Sequence, residues 1–214
     1  METFKKTLNE LIPKLNQEID QLNEETNNQV FLSGEANMFE VLKNLDDLES
    51  RFKELEERSI KYNQWQEVLQ TQPTVFDTLD ELRESLTLRC LMWRSLKEWE
   101  ELTETWTKTQ FNNINAKEIE TKADQYFKIC LRLEKNLEEN PIQIKLRELV
   151  DTFKGARPIV VALRNENLKE HHWKEIKDLI QADFDITSAD FTLQSLIDLN
   201  AVQYQEDITA VSTQ

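Results

Sequence analysis

His171 and His172 are the only histidines in the 214-residue chain, and they stand side by side. Neighbours on a helix project about 100° apart, so the two imidazoles do not chelate one metal ion between them. No cysteine or third histidine lies near them in sequence; the simpler reading is His172 stacked or hydrogen-bonded beside Trp173. Cys90 and Cys130 each fall singly on apolar, helix-spaced positions. That pattern fits two buried free thiols in a reducing compartment, not a disulfide framework or a zinc site. A nucleophilic Cys–His pair has no local motif in its favour. The acidic clusters Asp46-Asp47, Glu49, Glu54 and Glu56-Glu57 lie on the outer faces of a helical pattern, as solvated charge does, not as paired acid and base. A phosphate loop of the form Gly-x-x-x-x-Gly-Lys-Ser/Thr needs closely spaced glycines for its backbone cradle, whereas the chain has only Gly34 and Gly155. A non-catalytic chain, without cofactor or metal, is expected.

Composition narrows the partners. The net charge is −15, with Asp and Glu at 41 against 26 Lys and Arg. Nucleic acid and anionic membrane both require clustered Lys and Arg, so neither is expected to bind. No apolar run approaches the roughly 18 residues of a membrane span, and the first residues lack the apolar core of a signal peptide. An intracellular chain is expected.

The elements around these residues read as helix almost throughout, because 31% of residues are charged and Gly and Pro number two and four. Leu8, Leu11 with Ile12, Leu15, Ile19 and Leu22 recur at helical spacing and predict a first helix over residues 3–25, which Pro13 should kink or delay. Residues 27–34 read as a polar, uncapped break where compliance would sit. Leu45, Leu48, Phe52, Leu55, Ser59, Tyr62, Trp65 and Leu69 then keep a heptad-like seam. The two segments predict a helical hairpin or a short coiled-coil neck over residues 1–72.

Pro73 marks the boundary to a second region, 73–214. Leu79, Leu82, Leu86, Cys90, Trp93, Leu96, Trp99, Leu102 and Trp106 predict one helix to about residue 110, about 55 Å long and so a strut. The tryptophans on it read as packing anchors. Asn115 with Glu118, Asn140 with Gln143, and Asn167 with Glu170 each read as a capping box, the second with Pro141 at the first helical position. Gly155 reads as a helix stop. Thr192 reads as an N-cap flanked by Phe191 and Leu196. Leu163 and Trp173 are expected in one buried cluster with Val160 and Ile176. The fold class is all-α: an elongated helical bundle or rod with a long strut helix and an N-terminal hairpin.

The stretch from Pro158 to Trp173 resembles the Pro-Ile/Val…Leu-Arg-Asn…Leu-Lys…Arg-His-Trp signature in the linker region of dynein heavy chains. Pro158, Leu163, Arg164, Asn165, Leu168, His172 and Trp173 occupy matching positions, while His171 stands where that family usually has Arg. Trp93 and Trp106 resemble the spaced tryptophans before the signature, and Phe191, Thr192 and Leu193 the Phe-Thr-Leu element after it. The resemblance covers residues 73–214 and is closer to axonemal inner-arm chains than to cytoplasmic ones. It implies the junction of tail and linker, and the start of a helical rod that bends over a ring of AAA+ modules as ATP is hydrolysed. The implied partners are the rest of the linker and the ring of the same heavy chain. Intermediate or light chains, or a neighbouring heavy chain, would bind through residues 1–72. The implied location is the ciliary or flagellar axoneme. The alternative is an all-α cytoskeletal scaffold resembling spectrin repeats, which should show a second copy at fixed spacing; none is visible.

Overall fold

Apolar residues three and four apart build α1, Glu2–Thr26, which buries Leu8, Leu15, Ile19 and Leu22 along one face. The structure, a computed structural model, describes all of residues 1–214. Pro13 stands inside α1 and does not delay its start. A proline removes one helical N–H and crowds the carbonyl four residues back. Burial of Leu8 before it and Leu15 after it carries the helix through.

α2, Met38–Val68, opens where Asn37 Oδ1 accepts the Glu40 N–H at 3.1 Å, a side-chain N-cap. It packs on α1. Arg51 pairs with Glu25 and Arg58 with Glu18, so the α1 partner moves back as the α2 partner moves on, and the hairpin is antiparallel. The seam departs from heptad spacing at its end. Gln66 is buried in place of Trp65, because its amide holds residue 74 at both ends: Oε1 accepts the Thr74 N–H at 2.8 Å and Nε2 donates to Thr74 Oγ1 at 2.9 Å. Trp65 is left half-buried between Phe4 and Lys61.

Residues 27–34 are not an open break. Asn28 Oδ1 accepts the Val30 N–H at 3.0 Å and caps a 3₁₀ turn, Gln29–Leu32. Phe31 and Leu32 are buried, and the Trp93 indole donates to the Phe31 carbonyl at 2.9 Å. The apolar pair was too short to show a period, and its anchor lies far along the chain.

α3 runs from Asp77 to Thr107, about 46 Å at 1.5 Å per residue. The chain forms two compact units, Met1–Arg94 with Asn136–Ile142, and Ser95–Lys135 with Gln143–Gln214; α3 contributes to each. In the first unit Arg94 Nη2 reaches Asp46 at 2.8 Å and Glu49 at 2.7 Å on α2. Arg89 is buried there, its Nη1 donating to the Ser85 carbonyl and hydroxyl.

The second unit centres on an aromatic cluster. Trp99 lies 5.6 Å from Trp106, 5.0 Å from Tyr126 and 5.7 Å from Phe153, between ring centroids. Tyr126 belongs to α4, Ala116–Asn136, which Asn115 caps by accepting the Glu118 N–H at 3.1 Å. Phe153 belongs to α5, Pro141–Leu163, with Pro141 at its first position. Gly155 does not stop this helix. α5 continues through Gly155 and Pro158 to Leu163, because Ala156, Ile159, Val160 and Leu163 are all buried. The glycine serves a close approach instead: a Cβ on it would lie 2.7 Å from Val202 Cγ1.

α6 spans Glu170–Ile180, α7 Leu193–Asp198 and α8 Gln205–Ser212, with a 3₁₀ turn at Ala201–Tyr204 before α8. The capping pattern at Asn167 does not open α6. Asn167 lies in a turn in which its N–H goes to Asn165 Oδ1 at 3.0 Å, and the helix begins two residues later than that pattern predicts, with Lys169 as its N-cap. The fold is an all-α bundle; its one β feature is the isolated antiparallel bridge between Gln110 and Thr192.

Candidate functional site

The end of α5 is where the second unit is tied together. Leu163 is buried and the next two residues turn outward. Arg164 Nη1 donates to the Ile114 carbonyl at 2.5 Å, and Nη2 to the Asn112 carbonyl at 3.3 Å. Its guanidinium therefore grips the loop between α3 and α4. Asn165 Nδ2 donates to the Ser212 carbonyl at 2.7 Å and reaches its hydroxyl at 3.2 Å. Ser212 Oγ in turn donates to the Ala162 carbonyl at 2.9 Å. The adjacent Arg and Asn thus hold two remote segments by their backbones. Carbonyls left over at loops and helix ends require donors, and a planar guanidinium fork suits a pair of them.

Two further ties complete the arrangement. The Phe111 N–H donates to the Phe191 carbonyl at 2.9 Å and the Leu193 N–H to the Thr109 carbonyl at 3.3 Å. Thr192 then caps α7: its Oγ1 accepts the Ser195 N–H at 3.4 Å, and Ser195 Oγ accepts the Thr192 N–H at 3.1 Å. Phe191 and Leu196 beside it are buried.

His172 is a cap. Its Nδ1 accepts the Lys169 N–H at 3.0 Å, and its ring lies 3.9 Å from that of His171. Its hydrogen bond runs to the backbone that enters α6, not to Trp173. Trp173 is only half-buried, in contrast to Leu163, Val160 and Ile176. Its indole meets Phe184 edge-on at 6.4 Å, Phe184 stacks on Phe191 at 5.6 Å, and Phe191 meets Phe111 at 5.7 Å. Trp173 is thus the outer end of an aromatic chain. An open groove beside it is lined by His171, Lys174, Lys177, Asp178 and Asp183, with Lys177 and Asp183 paired at 2.8 Å.

Of the residues singled out in the sequence, the second unit contains Trp106, Pro158, Leu163, Arg164, Asn165, Leu168, His172, Trp173, Phe191, Thr192 and Leu193. Trp93 belongs to the first. Asn112 escaped the sequence reading because it takes part through its backbone carbonyl, which residue type does not mark, and Ser212 because its partners lie about fifty residues away. Phe111 and Phe184 left a weak signal, as large apolar residues in polar loops.

Electrostatics at the thiols follow burial. Removal from water pushes Cys90 up to about 11 and Cys130 up to about 11, so neither is poised as a thiolate nucleophile. No group of three or more His, Cys, Asp or Glu side chains converges as metal ligands would. No helix is long and apolar enough to cross a membrane. What the geometry at the end of α5 shows is hydrogen bonds that join remote segments of the second unit.

Residues 79–214 match the family described as dynein heavy chain, N-terminal region 2. The chain belongs to the dynein heavy chain family, as a part of its N-terminal region. Dynein axonemal heavy chain 6 of Homo sapiens is 26% identical over 203 residues, covering 95% of this chain and 5% of that protein. Human dynein axonemal heavy chain 2 is 30% identical over 136 residues, 63% of this chain and 3% of that one. The dynein-1-beta heavy chain of the flagellar inner arm I1 complex of Chlamydomonas reinhardtii is 31% identical over 121 residues, 56% of this chain and 3% of that one. The chain spans a small fraction of the length of these relatives.

Proposed function

We propose that this chain is a non-catalytic mechanical segment, the N-terminal part of a dynein linker. It couples ATP-driven changes in a AAA+ ring, carried elsewhere on the heavy chain, to movement of the tail in microtubule-based motility. The observation that carries this reading is the family match over residues 79–214, which includes the Arg164–Asn165 clamp. Side chains that grip remote backbone suit a part whose task is to move as one piece. On this reading the chain works in a ciliary or flagellar axoneme. It contacts the rest of the linker and the ring of its own heavy chain, and accessory chains or a neighbouring heavy chain through residues 1–72.

The test compares the intact heavy chain with one carrying Arg164→Ala and Asn165→Ala. Microtubule-stimulated ATPase should stay within about twofold while gliding velocity collapses, because chemistry and transmission are separate steps. Velocity that stays normal, or that falls only in step with the ATPase, removes the coupling role. Mg-ATP titrated into the 214-residue chain in a calorimeter should give no saturable heat. Micromolar binding there would overturn the non-catalytic part of the reading.

A further inference from the structure

α5 is one continuous helix that carries both a glycine and a proline in its second half. Its earlier part ends at Phe153, whose ring lies in the aromatic cluster with Trp99 and Trp106. Its last turn buries Ile159, Val160 and Leu163 and leads into the Arg164–Asn165 clamp. Between them lie Lys154, Gly155, Ala156, Arg157 and Pro158, of which only Ala156 is fully buried. Pro158 has no N–H, so the Lys154 carbonyl lacks its helical donor. Gly155 adds backbone freedom at the same turn. A Gly and a Pro one turn apart inside a helix are the usual cause of a bend.

The space left by the missing glycine side chain is taken. A Cβ at Gly155 would meet Val202 Cγ1 at 2.7 Å, closer than real side-chain contacts allow. Val202, on the Ala201–Tyr204 turn, therefore sits against the α5 backbone where that backbone is weakest. The charged neighbours reach sideways to α4 instead: Lys154 Nζ lies 3.7 Å from the centre of the Phe127 ring, and Arg157 pairs with Glu120 at 2.9 Å.

We propose that α5 is a two-part lever jointed at residues 154–158, and that the Val202 side chain seated on Gly155 is the wedge that fixes the angle between its parts. The purpose of such a joint rests on the mechanical reading above; its existence does not. With the wedge seated, the part ending at Phe153 and the part bearing the clamp move together. With the wedge withdrawn, the clamp swings about the Lys154–Pro158 turn while the aromatic cluster stays packed.

Hydrogen exchange on the 214-residue chain tests this without the motor. Val202→Ala should speed exchange of residues 159–163 by roughly tenfold and leave 143–153 unchanged, because only one side of the joint is released. Pro158→Ala restores the missing donor; it should slow 159–163 by roughly tenfold and bring the two parts to a common rate. Gly155→Ala should loosen the joint, and adding Val202→Ala should restore it by clearing the clash. Equal changes in both parts on Val202→Ala would show α5 to be a single rod. An unrescued Gly155→Ala would show that Val202 is not the wedge. If Gly155→Ala does not fold, the Val202→Ala comparison decides alone. A rigid α5 leaves the ATPase-against-gliding test standing, and failure of that test leaves the joint standing.

Discussion

Trp99 and Trp173 both sit on helices of the second unit, and their surroundings differ. Trp99 is fully buried among Trp106, Tyr126 and Phe153, yet its indole Nε1 has no hydrogen-bond partner. It is there for apolar area and ring contact. Trp173, expected in the core with Leu163, Val160 and Ile176, instead keeps one face in the groove lined by His171 and Lys174. Trp99→Ala should cost about 3–5 kcal/mol. Trp99→Phe should cost less than half of that, since no hydrogen bond is lost. Trp173→Ala should cost about 1 kcal/mol. Chemical denaturation of the three variants checks the order. A Trp173→Ala penalty equal to that of Trp99→Ala would mean that the half-buried ring carries core energy after all.

At the scale of the element, sequence was legible wherever the partner is local. Asn115 and Thr192 cap the helices they precede, Pro141 opens α5, and the seams of α1 and of most of α2 fall where apolar spacing puts them. It misled where the partner is distant. Gly155 looks like a stop until Val202 fills its side-chain space; residues 27–34 look loose until the Trp93 indole reaches Phe31; Gln66 looks exposed until Thr74 returns to it. The clamp at Arg164 and Asn165 was visible as a pattern of residues, but not as an action, because its acceptors are backbone carbonyls. The α1–α2 hairpin offers a test at this scale. The bidentate hydrogen bond from Arg51 holds the Glu25 carboxyl below its ordinary value of 4.5, against a smaller opposing effect of burial. A lowered carboxyl favours the fold above its unfolded value and loses that contribution as pH falls through the lowered one. The melting temperature of the wild type should therefore exceed that of Glu25→Gln at pH 7, and the gap should close as the pH drops below 4.5. A gap that stays constant down to pH 3 (well past the ordinary range) would show that the pair adds nothing to the hairpin.

Across the whole molecule, resistance to opening should follow burial and not local polarity. α3 is enclosed on several faces between Leu86 and Trp99: Leu88, Cys90, Met92, Trp93, Ser95 and Leu96 are all buried as well. Its amides have to wait for large openings. The polar pattern of residues 27–34 predicts the fastest exchange in the chain, but Phe31 and Leu32 are buried, and Asn28 and Trp93 hold the turn between them. Residues 183–190 are a better candidate for first opening. Asp183, Asp185, Thr187, Ala189 and Asp190 are exposed, and their turns rest on short-range bonds such as Thr187 N–H to Asp185 Oδ1 at 2.9 Å and Asp190 N–H to Ser188 Oγ at 3.3 Å. Phe184, stacked on Phe191, and the Asp183–Lys177 pair tie the loop near its start. Hydrogen exchange should be slowest along residues 86–99 and fastest along 183–190, with 27–34 in between. Phe184→Ala should quicken 183–190 further and leave 27–34 unchanged. If 27–34 exchanges faster than 183–190, local polarity governs opening in this chain, and the Trp93–Phe31 hydrogen bond does not anchor the turn it reaches.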